Sequence, residues 1–235
     1  MPIEHSPEKS LPDKETETSE VAKRFGDSLT VFGRVEMTRE HLEDLEKLPS
    51  ELINVMREKG LRIVVGEGNI IDLMGEIPGV KALVVRSVEK FLNREQEVET
   101  NIGGWQRIER RRQPIPLGVY AGPLKTIFIG EAKEGKSSTV SSSVALHEYG
   151  HGLGHLLKLD SDKSLKEAHL RLYPKLIEYL KQGKVGNLTG VRELLAESFA
   201  GYFTLSKEQF VSSYDEQLYL FWEKTIATIE DRSEE

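Results

Sequence analysis

Apolar positions along the 235-residue chain change their period partway, from short runs to a helical spacing. The first 27 residues are rich in Pro, Glu, Lys, Ser and Thr, with almost no large apolar side chain. Such a segment buries too little surface to offset its ordering entropy, which predicts a flexible tail over 1–27 and a folded domain over 28–235. An apolar run from Leu29 to Val35 reads as a strand, and a helix capped at Thr38 runs to Lys59-Gly60, kinked or split at Pro49. Leu61–Val65 reads as a second strand ended by Gly66 and Gly68, and 78–94 as a helix. A polar stretch near Asn101–Trp105 precedes an arginine cluster, and two strands, Leu117–Ala121 and Leu124–Gly130, meet at Gly122-Pro123. A Gly/Ser/Lys loop spans 131–141. Helical spacing then fills 143–159, 163–182, 190–204 and Lys207 to about Ile229. Strands first and helices later predict an α+β chain: one domain, with a small, largely antiparallel sheet and a mainly helical C-terminal half.

Composition narrows the chemistry. A net charge of −7 argues against nucleic-acid binding, which needs basic patches to displace counterions. No run reaches the roughly 18 apolar residues that a membrane span requires. Cysteine is absent, so any zinc must sit on histidine and carboxylate ligands. The first 20 residues show no apolar core of a signal peptide.

Three of the six histidines fall at 147, 151 and 155. Positions i and i+4 stack on one helix face, so His147 and His151 can reach one cation. Glu148 is turned about 100° around the axis, away from that pair but within reach of a water on the metal. His147-Glu148-Tyr149-Gly150-His151 is thus an HExxH run, whose chemistry is a metal-activated water and a glutamate base. Gly150, Gly152 and Gly154 each cost the helix about 0.5–1 kcal/mol relative to alanine, which implies a close approach by another element. A third ligand is needed. His155 continues the same straight helix and lies too far along its axis, which leaves it a supporting or core-packing role. Leu157 stands where a metzincin would carry its third histidine. Downstream, Glu193 and Glu197 share one face of a largely apolar helix (Leu194, Leu195, Phe199). Carboxylates there need a partner, which predicts Glu193 as ligand and Glu197 as acceptor from a ligand histidine.

HEYGH followed some forty residues later by ELLAESFAGYF resembles the zincin domain of the anthrax lethal factor family, which includes small secreted Pro-Pro endopeptidases. The likeness spans roughly 28–205. It implies a zincin-like fold with the sheet packed on the HExxH helix, and a gluzincin: one Zn²⁺ on His147, His151 and Glu193, Glu148 as general base, and Glu197 behind the ligands. It also implies an endopeptidase of narrow specificity, secreted, with proline-rich peptides as one substrate class. The alternatives are a catalytically weak or inactive zinc-binding interaction module of the same fold, or an intracellular toxin-like effector protease. The family's oxyanion tyrosine would fall at position 186, which is Gly here, so Tyr120, Tyr179, Tyr202, or zinc with backbone donors must take that part. Position 192, acidic in the Pro-Pro members, is Arg.

Zincins bind substrate as an added strand. One of the two strands at 117–130 therefore supplies the edge for an extended peptide, with Val119 and Tyr120 as candidate contacts. Trp105 reads as a lid or subsite aromatic or as a core tryptophan. Arg107 and Arg110–Arg112 read as a solvated loop, an acidic-substrate contact or a proteolytic nick site. The chain is expected to act as a monomer.

Overall fold

The computed structural model describes residues 20–77, 80, 95–102, 105–112, 117–130, 143–181 and 190–231, giving the backbone alone for 35–37, 95–102, 105–112 and 173–181. The helix expected over 78–94 falls outside these apart from Val80, as do the loop at 131–141 and Gly186.

Two apolar anchors shift the start of the folded chain. Helix α1 (Glu20–Phe25) buries Val21 and Phe25 completely or nearly so, within a segment whose composition predicts a tail. Strand β1 (Leu29–Phe32) follows, then α2 (Val35–Glu46) and α3 (Ser50–Glu58), with Pro49 preceding the second helix. The split at Pro49 is as expected. Thr38, however, is a buried residue inside α2 rather than its cap.

Strands β2 (Arg62–Gly66), β5 (Gly118–Ala121) and β6 (Thr126–Ile129) join β1 in one sheet of order β1-β2-β6-β5. Its direction corrects the expectation. β1 pairs with β2 and β2 with β6 in parallel, and β5–β6 alone is antiparallel. The reason is local: α2 and α3 form a crossover between β1 and β2, and a crossover returns the chain in the same direction. The burial agrees, because β6 and all of β2 except Arg62 are covered on both faces. Ile63, Val65, Ile127 and Ile129 face the larger core, while Val64 and Phe128 face a smaller one with helix α4 (Ile70–Glu76). A separate hairpin, β3 (Glu95–Ile102) with β4 (Trp105–Arg112), holds the arginine cluster on a strand rather than a loop.

The C-terminal half is helical, as its spacing predicts: α5 (Val144–Leu156), α6 (Lys163–Lys181), α7 (Val191–Thr204), α8 (Lys207–Ser213) and α9 (Glu216–Asp231). The single helix expected after Lys207 is broken at Tyr214, and the Asp215 carboxylate accepts from Leu218 N at 2.8 Å to start α9. Helix α9 buries Leu218, Trp222, Ile226 and Ile229 at helical spacing. Trp222 Nε1 donates to Ser198 Oγ at 2.9 Å, which pins α9 to the back of α7. The front of α7 packs on α5, and α5 on the sheet. Among the described residues no helix is long and apolar enough to cross a membrane.

Candidate metal centre

Helix α5 begins at Ser143, whose Oγ accepts from Leu146 N at 3.1 Å. That cap sets the first turn and, with it, the azimuth of His147 one turn on. His147 and His151 then point their Nε2 atoms at each other, 3.1 Å apart, with rings nearly perpendicular.

Helix α7 reaches this pair because Gly150 removes the obstacle. A Cβ there would stand 2.8 Å from the Ala196 Cα. The two backbones are therefore in contact, which places Glu193 one turn upstream against both imidazoles. Glu193 Oε2 lies 3.6 Å from His147 Nε2 and Oε1 lies 3.5 Å from His151 Nε2. His147, His151 and Glu193 form a group that could hold a metal ion. A tetrahedral zinc with bonds of about 2.0–2.2 Å needs donor atoms about 3.3–3.6 Å apart. The imidazole-to-carboxylate separations, each to a different oxygen of Glu193, have that spacing, and the imidazole pair at 3.1 Å is slightly closer.

Glu197, a turn further along α7, sits on the other edge of His147. Its Oε1 is 3.3 Å from Nδ1, within ion-pair reach. The pair is out of line for a full hydrogen bond, which leaves buried Nδ1 without a partner of good geometry. Glu148 is 9% exposed. Its carboxylate rests against the backbone of β5, where a Cβ on Gly118 would come within 2.7 Å of its Cγ. Tyr120 N–H, on the same strand, lies close enough to favour the charged form of that carboxylate.

The electrostatics describe a site suited to a cation. Burial pushes Glu148 up to about 7 against the pull of His147 and Tyr120 N–H, and burial also raises Glu193. Burial, His147 and Arg192 bring His151 down to about 3, which leaves its nitrogen lone pair available. His147 stands above the ordinary histidine value, because Glu197, Glu148 and Glu193 together outweigh its burial. A divalent ion would relieve these carboxylates and is compatible with neutral imidazoles.

Some expected contacts lie elsewhere. In β5 the 2.8 Å bond from Gly130 N to Leu117 O fixes the alternation, so Val119 turns its peptide groups to Phe128 on β6. Its side chain packs on the smaller core. Gly118 and Tyr120 instead present their peptide groups at the outer edge of the sheet, and sequence reading missed Gly118. Tyr120 OH is engaged by exposed His155 at 2.8 Å from Nδ1, so His155 is neither ligand nor core. Tyr202 packs with Phe203, Phe210 and Tyr219. Trp105 opens β4 opposite Ile102, and the Tyr179 side chain lies outside the described residues.

No protein-family model matches this sequence, and no curated protein matches it either. Among solved structures, the chain is similar to the Pro-Pro endopeptidase PPEP-2 from Paenibacillus alvei. The TM-score is 0.54 at 15% identity, over 86% of this chain and 99% of that one. At that identity the likeness is one of fold: mixed helices and a small sheet in a zincin-like arrangement.

Proposed function

We propose that this chain is a zinc-dependent endopeptidase, with His147, His151 and Glu193 as metal ligands. The observation that carries the reading is the triangle of side chains built by two helices in backbone contact: the two imidazole Nε2 atoms stand 3.1 Å apart, His151 Nε2 lies 3.5 Å from one oxygen of Glu193 and His147 Nε2 lies 3.6 Å from the other. When bound, zinc supplies Lewis acidity, polarising a peptide carbonyl and lowering the pKa of water.

The chain's own residues do the rest. Glu197, 3.3 Å from His147 Nδ1, is placed to accept a hydrogen bond from Nδ1–H when the ring turns onto the metal, which would fix the tautomer that leaves Nε2 free to ligate. Glu148 takes a proton from the attacking water and passes it to the leaving nitrogen, so that one carboxylate serves both halves of the hydrolysis. A pKa near neutrality suits both directions of transfer. An extended substrate adds to the sheet beyond β5, pairing with the outward peptide groups of Gly118 and Tyr120. Trp105, Val119 and the Tyr120 ring remain candidates for shaping subsites. The neighbour's name supports peptides with proline at the cut as the first to try.

Metal analysis with digestion of a peptide library tests this reading. The protein should bind one zinc per chain and cut a narrow set of peptides, and Glu148→Gln should lower kcat by about 10²–10⁴ with zinc retained. A wild type that binds zinc yet cuts nothing the variant spares would sink it.

A further inference from the structure

We infer that Arg192 is a specificity determinant: a guanidinium held at the rim of the metal centre that selects peptides with an acidic side chain beside the scissile bond. The inference rests on the endopeptidase reading.

Three observations carry it. Arg192 directly precedes Glu193 in the first turn of α7, so its side chain leaves the backbone beside the proposed ligand, about 100° around the helix axis from it. Its position is fixed, since Nε donates to Asp160 Oδ2 at 2.9 Å. Asp160 lies in the short 3-10 turn at Leu159–Ser161, just beyond α5, so the tether joins the two helices that supply the metal donors. The two partners are unequally covered: the Asp160 side chain is 19% exposed and that of Arg192 is 75% exposed. The anchor is covered while the cation is presented. Of the five guanidinium N–H groups, the Nε–H alone has a partner among the described residues. The Nη edge remains available, and a planar fork of this kind pairs bidentately with carboxylate.

Charge makes the effect selective. Glu148, Glu193 and Glu197 line the centre and the chain carries −7 overall, a background that repels acidic peptides and attracts basic ones. One fixed cation at the rim inverts that preference locally, and discrimination depends on the difference between the two. A plain surface ion pair would staple the two helices and leave sequence preference unchanged.

The experiment compares zinc-loaded wild type with Arg192→Lys, Arg192→Ala and Arg192→Glu on a peptide library, then on matched Asp/Asn and Glu/Gln peptides. Wild type should enrich Asp or Glu within two residues of the cut. Arg192→Ala should lower kcat/KM for the acidic peptide by about 10–100-fold, mainly through KM, and spare its neutral twin. Arg192→Lys should recover part of the loss, and Arg192→Glu should turn the preference toward Lys and Arg. Equal losses on both twins, or no acidic preference in wild type, would overturn the inference. Binding of the same labelled peptides to zinc-loaded Glu148→Gln, with and without Arg192→Glu, separates the two claims. Charge-selective binding without cleavage removes the endopeptidase reading and keeps this one; cleavage without charge preference does the reverse.

Discussion

Glu197 Oε1 and His147 Nδ1 stand 3.3 Å apart, on the far side of an imidazole whose Nε2 faces His151 and Glu193. The ring is thus held from behind by one carboxylate of α7 and met in front by another. Removing the rear one frees the ring to choose its other tautomer and to rotate.

Glu197→Ala should therefore weaken zinc binding by about 10–100-fold without removing a ligand. Competition with a chromophoric chelator measures it, with circular dichroism to show that the fold persists. An unchanged affinity would mean that Glu197 does not orient the ring.

Glu148 should cost the metal-free protein stability at neutral pH. Its folded pKa is raised to about 7 from an ordinary 4.5. Between these values the unfolded chain has lost the proton and the folded chain keeps it, so stability falls as pH rises through this window. Glu148→Gln should match wild type near pH 4 and exceed it by on the order of 3 kcal/mol above about pH 7.5. Urea titrations with a chelator present, repeated across that range, check the slope. A difference that does not vary with pH counts against a buried, proton-holding Glu148.

Gly150→Ala should cost about 1–3 kcal/mol, because the new methyl meets the Ala196 backbone, which cannot yield as a side-chain tip would. It should also lower zinc affinity, since pushing α7 away opens the donor triangle. Gly75 in α4 has nothing within 4 Å of its would-be Cβ, so Gly75→Ala should gain about 0.5–1 kcal/mol. Equal effects at the two positions would show that helix propensity, not helix contact, governs both.

Tyr120→Phe should reduce proteolysis far less than the 10²–10³ expected for loss of an oxyanion donor. The hydroxyl is held by His155, along the side of α5 beyond His151. Steady-state rates on one good peptide decide it, and a loss of that size would return Tyr120 OH to the reacting centre.

How far the sequence foretold these features follows the range of the interactions involved. HEYGH and the Glu193/Glu197 pair were legible because i, i+4 spacing is a local property of one helix. The glycines of α5 signalled a close approach, and Ala196 supplies it at Gly150. Sheet direction was not legible from strand order, because it depends on whether the intervening helices cross over. Long-range register hid the exchange of Val119 for Gly118 at the sheet edge, since one residue of register reverses which peptide groups point outward. Helix α1 escaped notice because two anchors, Val21 and Phe25, sit in an otherwise polar stretch. The break at Tyr214 had no glycine or proline to announce it.

The backbone contact between Gly150 and Ala196 also bears on which ion the proposed site would accept. Affinity for an imidazole and carboxylate site rises intrinsically toward copper, so ligand chemistry alone does not select zinc. A donor triangle fixed by two helices that touch, and buttressed by the core around Tyr149, Phe199 and Trp222, acts as a ruler. An ion that demands a square-planar arrangement needs two of its donors on opposite sides and must distort it, and the distortion is resisted by packed main chain rather than by pliable side chains.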